Sequence, residues 1–400
     1  MLIEKLKTEI LPAAFNKDGI KYIGFKFDTE SMPKDQFCSN AVFIMVTVCK
    51  NNEKVEMPVL VKFEPFDETV KKTLNSNVMF YNEVFMYSRM LPYLNKENIA
   101  EDSFAGFYYG NDLITGSDNV IIMEDLRSQN YHLSESTLNL DFDHLSLALT
   151  KLGRFHALSY AAKERSLEEF TMMATNFKEP LHKDNGLFHF VSKACVHRAV
   201  QPLLEKGKHI EVLERFLKRI DNNFLDIFQN LTSADDPLAV ICHGDFCRNN
   251  MLFQYTDGKP SDVKFFDMAT SRCSSVAIDI SLLLFLNCSK EVRHAHWDDL
   301  LQSYHTSLSS AVPGITVPSL EEIKEAMRQK AIWGFMHCSF FLPVMKYDIH
   351  IDENGLKTWS KEEIVNFHLA IGGEEGTELI SDLTEELVDR QFITLGHSWM

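Results

Sequence analysis

Apolar runs separated by short turns dominate the first third of the chain. Residues 41 to 50 (AVFIMVTVCK) are mostly β-branched, aromatic or otherwise apolar, Asn51 and Asn52 follow, and residues 58 to 63 (PVLVKF) form a second apolar run. Two such runs joined by a short polar pair predict two antiparallel strands and a turn. Residues 120 to 123 (VIIM) predict a further strand.

A helical period lies between these strands. Phe80, Val84, Tyr87 and Leu91 recur at spacings of 4, 3 and 4. This spacing places the four side chains on one helix face, and we expect the helix to end at Pro92.

The remainder of the chain has mainly helical periodicity. One apolar stripe is formed by Leu145, Leu149, Leu152 and His156, and further periodic stretches are found near residues 187 to 230, 291 to 311, 319 to 342 and 361 to 390. Strands are predicted within this part at residues 238 to 242, 251 to 255 and 263 to 266. Strands first and helices afterwards predict an α+β protein with a small sheet lobe and a larger helical lobe, divided near residues 124 to 128.

Composition narrows the class of protein. The chain has 400 residues, 45% hydrophobic and 24% charged, which is typical of a globular protein with a large core. Its formal net charge of −17 argues against nucleic-acid binding, so any bound phosphate needs local cations. Eight scattered cysteines without a C-x-x-C pair, a charged N-terminal segment and apolar runs of half a membrane span predict a soluble cytoplasmic protein. Its oligomeric state is not predicted.

The segment from His243 to Asn250 (HGDFCRNN) is the strongest candidate for chemistry. Asp245 and Asn250 lie on a loop between predicted strands, and Asp267 ends the next strand. A carboxylate that positions a nucleophile and two oxygen ligands for a divalent cation are what phosphoryl transfer requires. The alternative is a polar turn capped by Asp and Asn.

A second candidate pair comes earlier in the chain. Lys62 lies within an apolar strand, where an unpaired ammonium group is costly to bury, and Glu83 lies on the helix that follows. A strand lysine paired with a helix glutamate holds nucleotide phosphates in two-lobed kinases. Each residue alone also fits a solvent-facing position, but the order from Lys62 to Asp267 matches the kinase plan.

Several segments together carry a resemblance to a known family. Read in order, they resemble the ecdysteroid kinase-like family of insects and other invertebrates, which is similar to choline kinases and aminoglycoside phosphotransferases: VLVKFEP, FYNEVFMY, VIIMEDL, LGRFHALSYA, ICHGDFCRNNMLFQY and VKFFDMATSRCSSVAIDISLLLF. The resemblance extends from about residue 20 to residue 390. It implies a protein-kinase-like fold that binds ATP and Mg²⁺.

The resemblance also implies roles for individual residues. It implies that Asp245 is the catalytic carboxylate, that Asn250 and Asp267 are magnesium ligands, and that Lys62 and Glu83 serve the nucleotide phosphates.

The resemblance further implies an adenine-binding hinge and a residue that supports the catalytic loop. The hinge is the backbone around Met123, Glu124, Asp125 and Leu126, and Asp279 supports the catalytic loop from the following helix. We therefore expect a nucleotide-binding lobe at residues 1–123, a hinge at 124–128 and a catalytic and acceptor-binding lobe at 129–400.

Some positions depart from the family pattern. Residues 34 to 39 (KDQFCS) contain no glycine where many relatives have one in the phosphate-covering turn, so Ser39 is a candidate donor to phosphate there. Cys247 and Met268 stand where many relatives carry Trp and Phe.

Two histidines are interpreted as structural. His156 is expected to be a buried, hydrogen-bonded residue, and His243 is expected to bond backbone rather than act as a base, because Asp245 already occupies that position.

The expected activity is ATP-dependent phosphorylation of a hydroxyl on a small lipophilic molecule, an ecdysteroid or a hydroxylated xenobiotic. A protein kinase is disfavoured because the chain from Asp267 to Asp279 is too short for an activation segment. A choline- or aminoglycoside-type kinase and a nucleotide-binding pseudokinase stay open as alternatives.

The candidate acceptor pocket is an apolar stretch without acidic residues, at residues 332 to 342. Trp333, Phe340 and Phe341 are expected to form its wall and His337 is expected to be a polar contact; core packing is the alternative.

Overall fold

The structure is a computed structural model that describes residues 2–17, 19–28, 40–96, 101–111, 119–183 and 186–397. Its strands are β1 (Ile20–Phe27), β2 (Asn40–Lys50), β3 (Glu53–Phe63), β4 (Phe107–Gly110), β5 (Val120–Glu124), β6 (Ala239–Cys242), β7 (Met251–Thr256), β8 (Lys259–Phe265) and β9 (Arg272–Ser275). Its helices are α1 (Leu2–Lys5), α2 (Leu11–Phe15), α3 (Glu68–Leu74), α4 (Ser76–Phe85), α5 (Leu91–Leu94), α6 (Phe142–Arg165), α7 (Leu167–Ala174), α8 (Leu187–Glu205), α9 (Ile210–Leu231), α10 (Ala277–Leu286), α11 (Lys290–Ala311), α12 (Leu320–Lys330), α13 (Ile332–Tyr347), α14 (Glu353–Thr358), α15 (Lys361–Ala370) and α16 (Gly373–Asp389).

The N-terminal sheet has the strand order β1-β2-β3-β5-β4, and each neighbouring pair is antiparallel. β2 and β3 form the hairpin that the sequence predicts, with Asn51 and Asn52 as its turn. Their φ values of 52° and 65° are left-handed, as a two-residue hairpin turn requires, and Asn tolerates this conformation better than most residues.

The two faces of the sheet serve different cores. Val59, Val61 and Phe63 of β3 point to the face covered by the π-helical turn Leu6–Ile10 and by α2. Lys62 lies between them in sequence and therefore points to the opposite face, where α4 lies. Strand alternation thus aims Lys62 toward the rest of the protein.

The helix that carries Glu83 is longer than predicted. Its α4 segment continues through a wider π turn at Met86–Met90 into α5, which ends at Leu94, so the expected end at Pro92 is wrong. Pro92 lies in the first turn of α5, where a missing N–H costs little, and the wide turn before it shifts the hydrogen-bond register.

The C-terminal part is mainly helical, and α6 is its central element. Leu145, Leu149, Leu152 and His156 of α6 are all fully buried, as their spacing predicts. Two small antiparallel sheets, β6–β9 and β7–β8, lie in this part. The predicted α+β class is confirmed. No helix in the described ranges is both long and apolar enough to cross a membrane.

Candidate active site

Lys62 joins two carboxylates from distant parts of the chain. Its Nζ lies 2.6 Å from Glu83 Oε2 on α4 and 2.8 Å from Asp267 Oδ1, which follows β8. We call these three residues the Lys62 cluster. The structure therefore pairs the strand lysine with the helix glutamate and adds Asp267, a contact that sequence reasoning did not predict.

Charge and burial act against each other in the Lys62 cluster. Burial lowers the pKa of Lys62, but Asp267 and Glu83 outweigh it and the net pKa is raised. Burial also raises the pKa of Glu83, with Lys62 opposing it. For Asp267 the raising effect of burial is outweighed by Lys62, so its pKa is lowered and the carboxylate stays ionised.

Asp267 has an unusual backbone. Its φ of 61° and ψ of 63° lie in the left-handed region, which is uncommon for a residue other than glycine and is tolerated best by Asn and Asp. The turn that starts there, Met268–Thr270, separates β8 from β9. Such conformations cluster at functional sites.

The loop of residues 243 to 250, which we call the 243–250 loop, holds Asp245 against Asn250. The Asn250 amide nitrogen donates to the Asp245 backbone oxygen at 2.8 Å and to Asp245 Oδ2 at 2.9 Å. Both amide hydrogens are thereby used, which leaves Asn250 Oδ1 as the atom that can bind a cation. Burial raises the pKa of Asp245, His243 opposes this, and Asp267 adds to it.

His243 bonds the backbone on both sides of its ring. Its Nε2 donates to the Phe266 carbonyl at 2.9 Å, and its Nδ1 accepts from the Asp245 N–H at 3.3 Å. This is the backbone-bonding role expected from the sequence. It ties the strand before Asp267 to the loop that carries Asp245.

A buried network lies beneath the 243–250 loop. Asp279 of α10 accepts from the backbone N–H groups of His243 and Gly244, each at 2.8 Å. His156 Nε2 lies 3.1 Å from Asp279 Oδ2, and His156 Nδ1 lies 2.8 Å from the Tyr304 hydroxyl. We call this the Asp279 network; it confirms that His156 is a buried, hydrogen-bonded histidine.

Gly244 is required in this loop by its surroundings. Its φ is 84°, and a Cβ there would lie 2.1 Å from the Thr270 carbonyl oxygen. Thr270 Oγ1 in turn donates to the His243 carbonyl at 3.3 Å. The loop and the turn after Asp267 therefore pack backbone to backbone, which fixes their separation.

The predicted hinge residues leave the sheet at the end of β5. Met123 and Leu126 are buried, and the Glu124 N–H donates to the Gly106 carbonyl at 2.7 Å. Asp125 caps the short turn Leu126–Gln129 by accepting from the Arg127 N–H at 3.0 Å. The hinge assignment itself stays a prediction.

The two departures from the family pattern are packing positions. Cys247 and Met268 are both buried, and Cys247 Sγ lies 3.8 Å from Asp245 Oδ1. Burial raises the pKa of the Cys247 thiol, so it is a neutral neighbour of the carboxylate. Ser39 and the turn around it lie outside the described residues.

The predicted acceptor residues lie on α13. Trp333 is fully buried, Phe340 is nearly so, and Phe341 is half-buried. The His337 Nδ1 atom lies 3.0 Å from the Trp333 carbonyl oxygen, within its own helix. Their role as an acceptor wall stays a prediction.

The donor set fits a divalent cation. Asp245, Asp267 and Glu83 bring three carboxylates to a site where Lys62 is the cation that pairs with two of them. Carboxylate and amide oxygens are the hard ligands that Mg²⁺ prefers, and the excess negative charge favours a cation before a nucleotide phosphate. Asp267 and Asn250 Oδ1 are the residues that could hold it.

A family comparison agrees with this geometry. The chain matches the model of the ecdysteroid kinase-like family over residues 33–315. The chain belongs to this family. No curated protein matches it.

Among solved structures, the ecdysteroid kinase-like chain is similar to aminoglycoside phosphotransferases. A GDP complex of an aminoglycoside 2'-phosphotransferase IIIa mutant has 9% identity and a TM-score of 0.43, covering 97% of this chain and 98% of that chain. A phosphotransferase complex with GDP and kanamycin has 10% identity and a TM-score of 0.42, covering 89% and 93%. An enzyme from Streptomyces rimosus has 11% identity and a TM-score of 0.25, covering 84% and 92%.

Sequence reasoning missed the side chains that support the site. They are Tyr304, Thr270 and the ion pair of Arg272 with Glu179 at 2.7 Å. No spacing or motif marks them, because their contacts exist only after the helices pack. The one available signal is a lone arginine, Arg272, beside the small residues of β9 (RCSS).

Proposed function

We propose that this protein transfers the γ-phosphate of ATP to a hydroxyl group of a small lipophilic molecule. Family membership supports a small-molecule kinase. The observation that carries the proposal is the Lys62 cluster beside the Asp245–Asn250 pair. These residues combine a phosphate-binding cation, a base position and oxygen ligands within one site.

In the proposed reaction, Asp245 orients the acceptor hydroxyl and takes its proton. The acceptor oxygen forms a bond to the γ phosphorus while the bond from that phosphorus to the β–γ bridging oxygen breaks, and ADP leaves with the bonding electron pair. Burial holds the Asp245 pKa above that of an ordinary aspartate, which makes it a better proton acceptor. The left-handed turn at Asp267 and the hydrogen bond from His243 to the Phe266 carbonyl fix the Asp267 carboxylate relative to that of Asp245.

Lys62 binds the nucleotide phosphates in this proposal, and Glu83 keeps Lys62 in place. Mg²⁺, when bound by Asp267 and Asn250, supplies charge neutralisation for the phosphates. Residues 1–123 form the nucleotide-binding lobe, residues 124–128 the hinge, and residues 129–400 the catalytic and acceptor-binding lobe. We place the protein in the cytoplasm.

A lipophilic acceptor is favoured over a polycation. Helix α13, with Trp333, Phe340 and Phe341, contains no Asp or Glu to bind the amines of an aminoglycoside. Burying an apolar skeleton at about 25 cal/mol per Å² can supply most of the binding free energy. Ecdysteroids and hydroxylated xenobiotics meet this description.

The test is a screen of alcohols for ATP-dependent gain of one phosphate by mass spectrometry. The panel contains steroidal and phenolic alcohols, choline and an aminoglycoside. We expect product from the steroidal or phenolic alcohols, none with Asp245→Asn, and unchanged product with the exposed control Asp226→Asn. Product from choline or the aminoglycoside alone contradicts the acceptor class, and no product from any alcohol contradicts the activity.

A further inference from the structure

Three buried polar atoms near the active site have no hydrogen-bond partner in the described part of the chain. They are His182 Nδ1, Trp333 Nε1 and Arg272 Nη2. The side chains that carry them are buried, with His182 exposed by 6%, Trp333 by 0% and Arg272 by 7%. Buried polar atoms are nearly always paired with protein, ordered water or a ligand, so several without a protein partner in one place mark a polar site.

These residues form one contiguous cluster, which we call the hydroxyl cluster. The Arg272 guanidinium carbon lies 5.9 Å from the Trp333 ring centroid and 5.8 Å from that of Phe228. The His182 ring centroid lies 3.8 Å from that of Phe228. The His337 ring lies 4.0 Å from Trp333 and 5.2 Å from His182. The polar atoms are therefore surrounded by aromatic rings.

The hydrogen-bond partners assign the proton positions on both histidines. The Trp333 carbonyl can only accept, so His337 Nδ1 carries the proton that it donates at 3.0 Å. Burial lowers the pKa of His337 to about 4, so its ring is neutral and its Nε2 can only accept. His182 Nε2, 3.3 Å away, must then donate, which leaves His182 Nδ1 with a bare lone pair.

His337 is therefore not the polar contact that the sequence suggests. Both of its nitrogens are used within the protein, and the Ser339 hydroxyl donates to the Met336 carbonyl at 2.9 Å. Because these hydrogen bonds use three of the four ring nitrogens of the two histidines, His182 Nδ1 is the nitrogen left to accept a hydrogen bond from a ligand. The hydroxyl cluster thus offers one hydrogen-bond acceptor, His182 Nδ1, and two donors, Trp333 Nε1 and Arg272 Nη2.

Glu179 makes this cluster suitable for a neutral ligand. Its Oε2 lies 2.7 Å from Arg272 Nη1, so the guanidinium charge is already balanced. Its Oε1 accepts from the backbone N–H groups of Leu181 and His182 at 2.8 and 2.9 Å, which fixes the turn that carries His182. A balanced charge favours a hydroxyl group, which both donates and accepts, over an anion or a cation.

The cluster adjoins the 243–250 loop. Arg272 Nε donates to the Thr270 carbonyl at 3.3 Å, and Thr270 Oγ1 donates to the His243 carbonyl. The segment before His182 is also attached to the site, because the Lys178 N–H donates to Asn82 Oδ1 at 3.0 Å and Asn82 Nδ2 donates to the Ala269 carbonyl. The hydroxyl cluster is therefore linked by hydrogen bonds to the turn Met268–Thr270, which directly follows Asp267.

We propose that the hydroxyl cluster is a recognition subsite for a second hydroxyl group of the acceptor, with Arg272 and Trp333 as donors and His182 as the hydrogen-bond acceptor. This inference rests on the proposed kinase activity and narrows its substrate to apolar molecules with at least two hydroxyl groups. His182, Arg272 and Trp333 are specificity-determining residues, remote from the reacting oxygen.

The test is calorimetric binding of ecdysone, a polyhydroxylated steroid, with a non-hydrolysable ATP analogue present. Trp333→Phe removes one N–H and keeps an aromatic ring, and His182→Phe removes the acceptor atom. Each is expected to raise the Kd by about tenfold, the scale of one lost hydrogen bond. The matched control Trp297→Phe, in a half-buried tryptophan that packs on Phe392 instead, leaves the Kd unchanged.

Further readouts separate this inference from the proposed function. With the wild type, ecdysone is expected to shift the ring ¹⁵N resonance of His182 Nδ1 in the direction of hydrogen bonding, a measurement that needs neither turnover nor a stable Phe variant. In steady-state assays of Trp333→Phe and His182→Phe, the KM for ecdysone is expected to rise and kcat is expected to change little. An unshifted resonance, no ecdysone binding by the wild type, or equal Kd values for Trp333→Phe and Trp297→Phe overturns the subsite. Binding without phosphorylated product overturns the kinase proposal and leaves the subsite standing.

Discussion

The Lys62 cluster and the Asp279 network both centre on buried ionic groups, but their hydrogen bonding differs. Asp279 is fully buried and accepts two backbone N–H bonds in addition to its contact with His156. In the Lys62 cluster, Lys62 serves two carboxylates, and the Asp267 side chain is 37% exposed. The Asp279 network is complete within the protein, whereas the Lys62 cluster carries excess negative charge at a partly open surface.

This difference separates support from chemistry. A satisfied buried network holds backbone in one arrangement, and removing one member leaves charges or N–H groups unpaired. A partly exposed cluster with unbalanced charge is suited to bind ions and to change partners. We therefore expect substitutions in the Lys62 cluster to affect turnover, and substitutions in the Asp279 network to affect stability.

The largest expected effect is that of Asp267→Asn. It removes the anionic ligand for the cation, so turnover is expected to fall by about 10³-fold or more while the free energy of unfolding changes by about 1 kcal/mol or less. Phosphate transfer and urea unfolding measure the two quantities. Near-normal turnover, with Asp226→Asn as the surface control, contradicts the metal assignment.

Asp245→Asn sharpens the comparison within the site. Turnover is expected to fall by about 10²- to 10⁴-fold because the acceptor hydroxyl loses its base, while ATP affinity is retained because Asp245 does not contact the nucleotide in this proposal. Calorimetric binding of an ATP analogue checks the second part. An equal collapse of ATP binding means that the role of Asp245 is misassigned.

Lys62→Met and Glu83→Gln test the ion pair. Lys62→Met is expected to weaken ATP binding and turnover by about 10²-fold, and Glu83→Gln by about tenfold, because only Lys62 contacts phosphate. The two losses are expected to be non-additive in a double-mutant cycle of ATP affinity. Additive losses contradict the coupling.

Asp279→Asn is expected to act mainly on stability. Loss of the charge leaves the His156 contact and the His243 and Gly244 N–H bonds weaker in a buried setting, so the free energy of unfolding falls by about 2–4 kcal/mol. The loss of turnover at a temperature where the variant is folded is expected to be smaller than for Asp267→Asn. A variant as stable as the wild type contradicts the structural role.

The smallest effects are expected in the pH profiles. The pKa of Asp245 is raised, so kcat is expected to fall on acidification with a midpoint above about pH 4, the ordinary aspartate value.

The pH dependence of stability tests Asp279. Burial raises the pKa of Asp279, but the hydrogen bond from His156 and the His156 charge outweigh burial, so the pKa is lowered. Its contribution to stability is therefore complete above about pH 4 and is lost as the pH falls through the lower folded-state pKa. The measurement is the free energy of unfolding against pH for the wild type and for Asp279→Asn. A wild-type loss of stability that begins near neutral pH and is absent in Asp279→Asn contradicts this assignment.

How far the site can be predicted depends on the kind of signal. The spacing of Asp245, Asn250 and Asp267 is local, because one loop and the end of the following hairpin carry all three, and the structure pairs Lys62 with Glu83 as the kinase-like order predicts. The length of the helix that begins with α4 was mispredicted, because a proline usually ends a helix and we expected the end at Pro92. The π turn before Pro92 has no sequence signature. The roles of these residues in catalysis stay predictions.

The sequence by itself determined six of the nine described strands (β2, β3 and β5 to β8), the main helices and the order of the candidate residues, because alternation and helical period record which side chains are buried. It did not predict β1, β4 or β9. Only the tertiary structure decided that Lys62 also contacts Asp267, that Asp279 and Tyr304 both bond His156, and that His182, Trp333 and Arg272 meet. These contacts join residues far apart in the chain. Their existence depends on how helices and sheets pack, which no local pattern encodes.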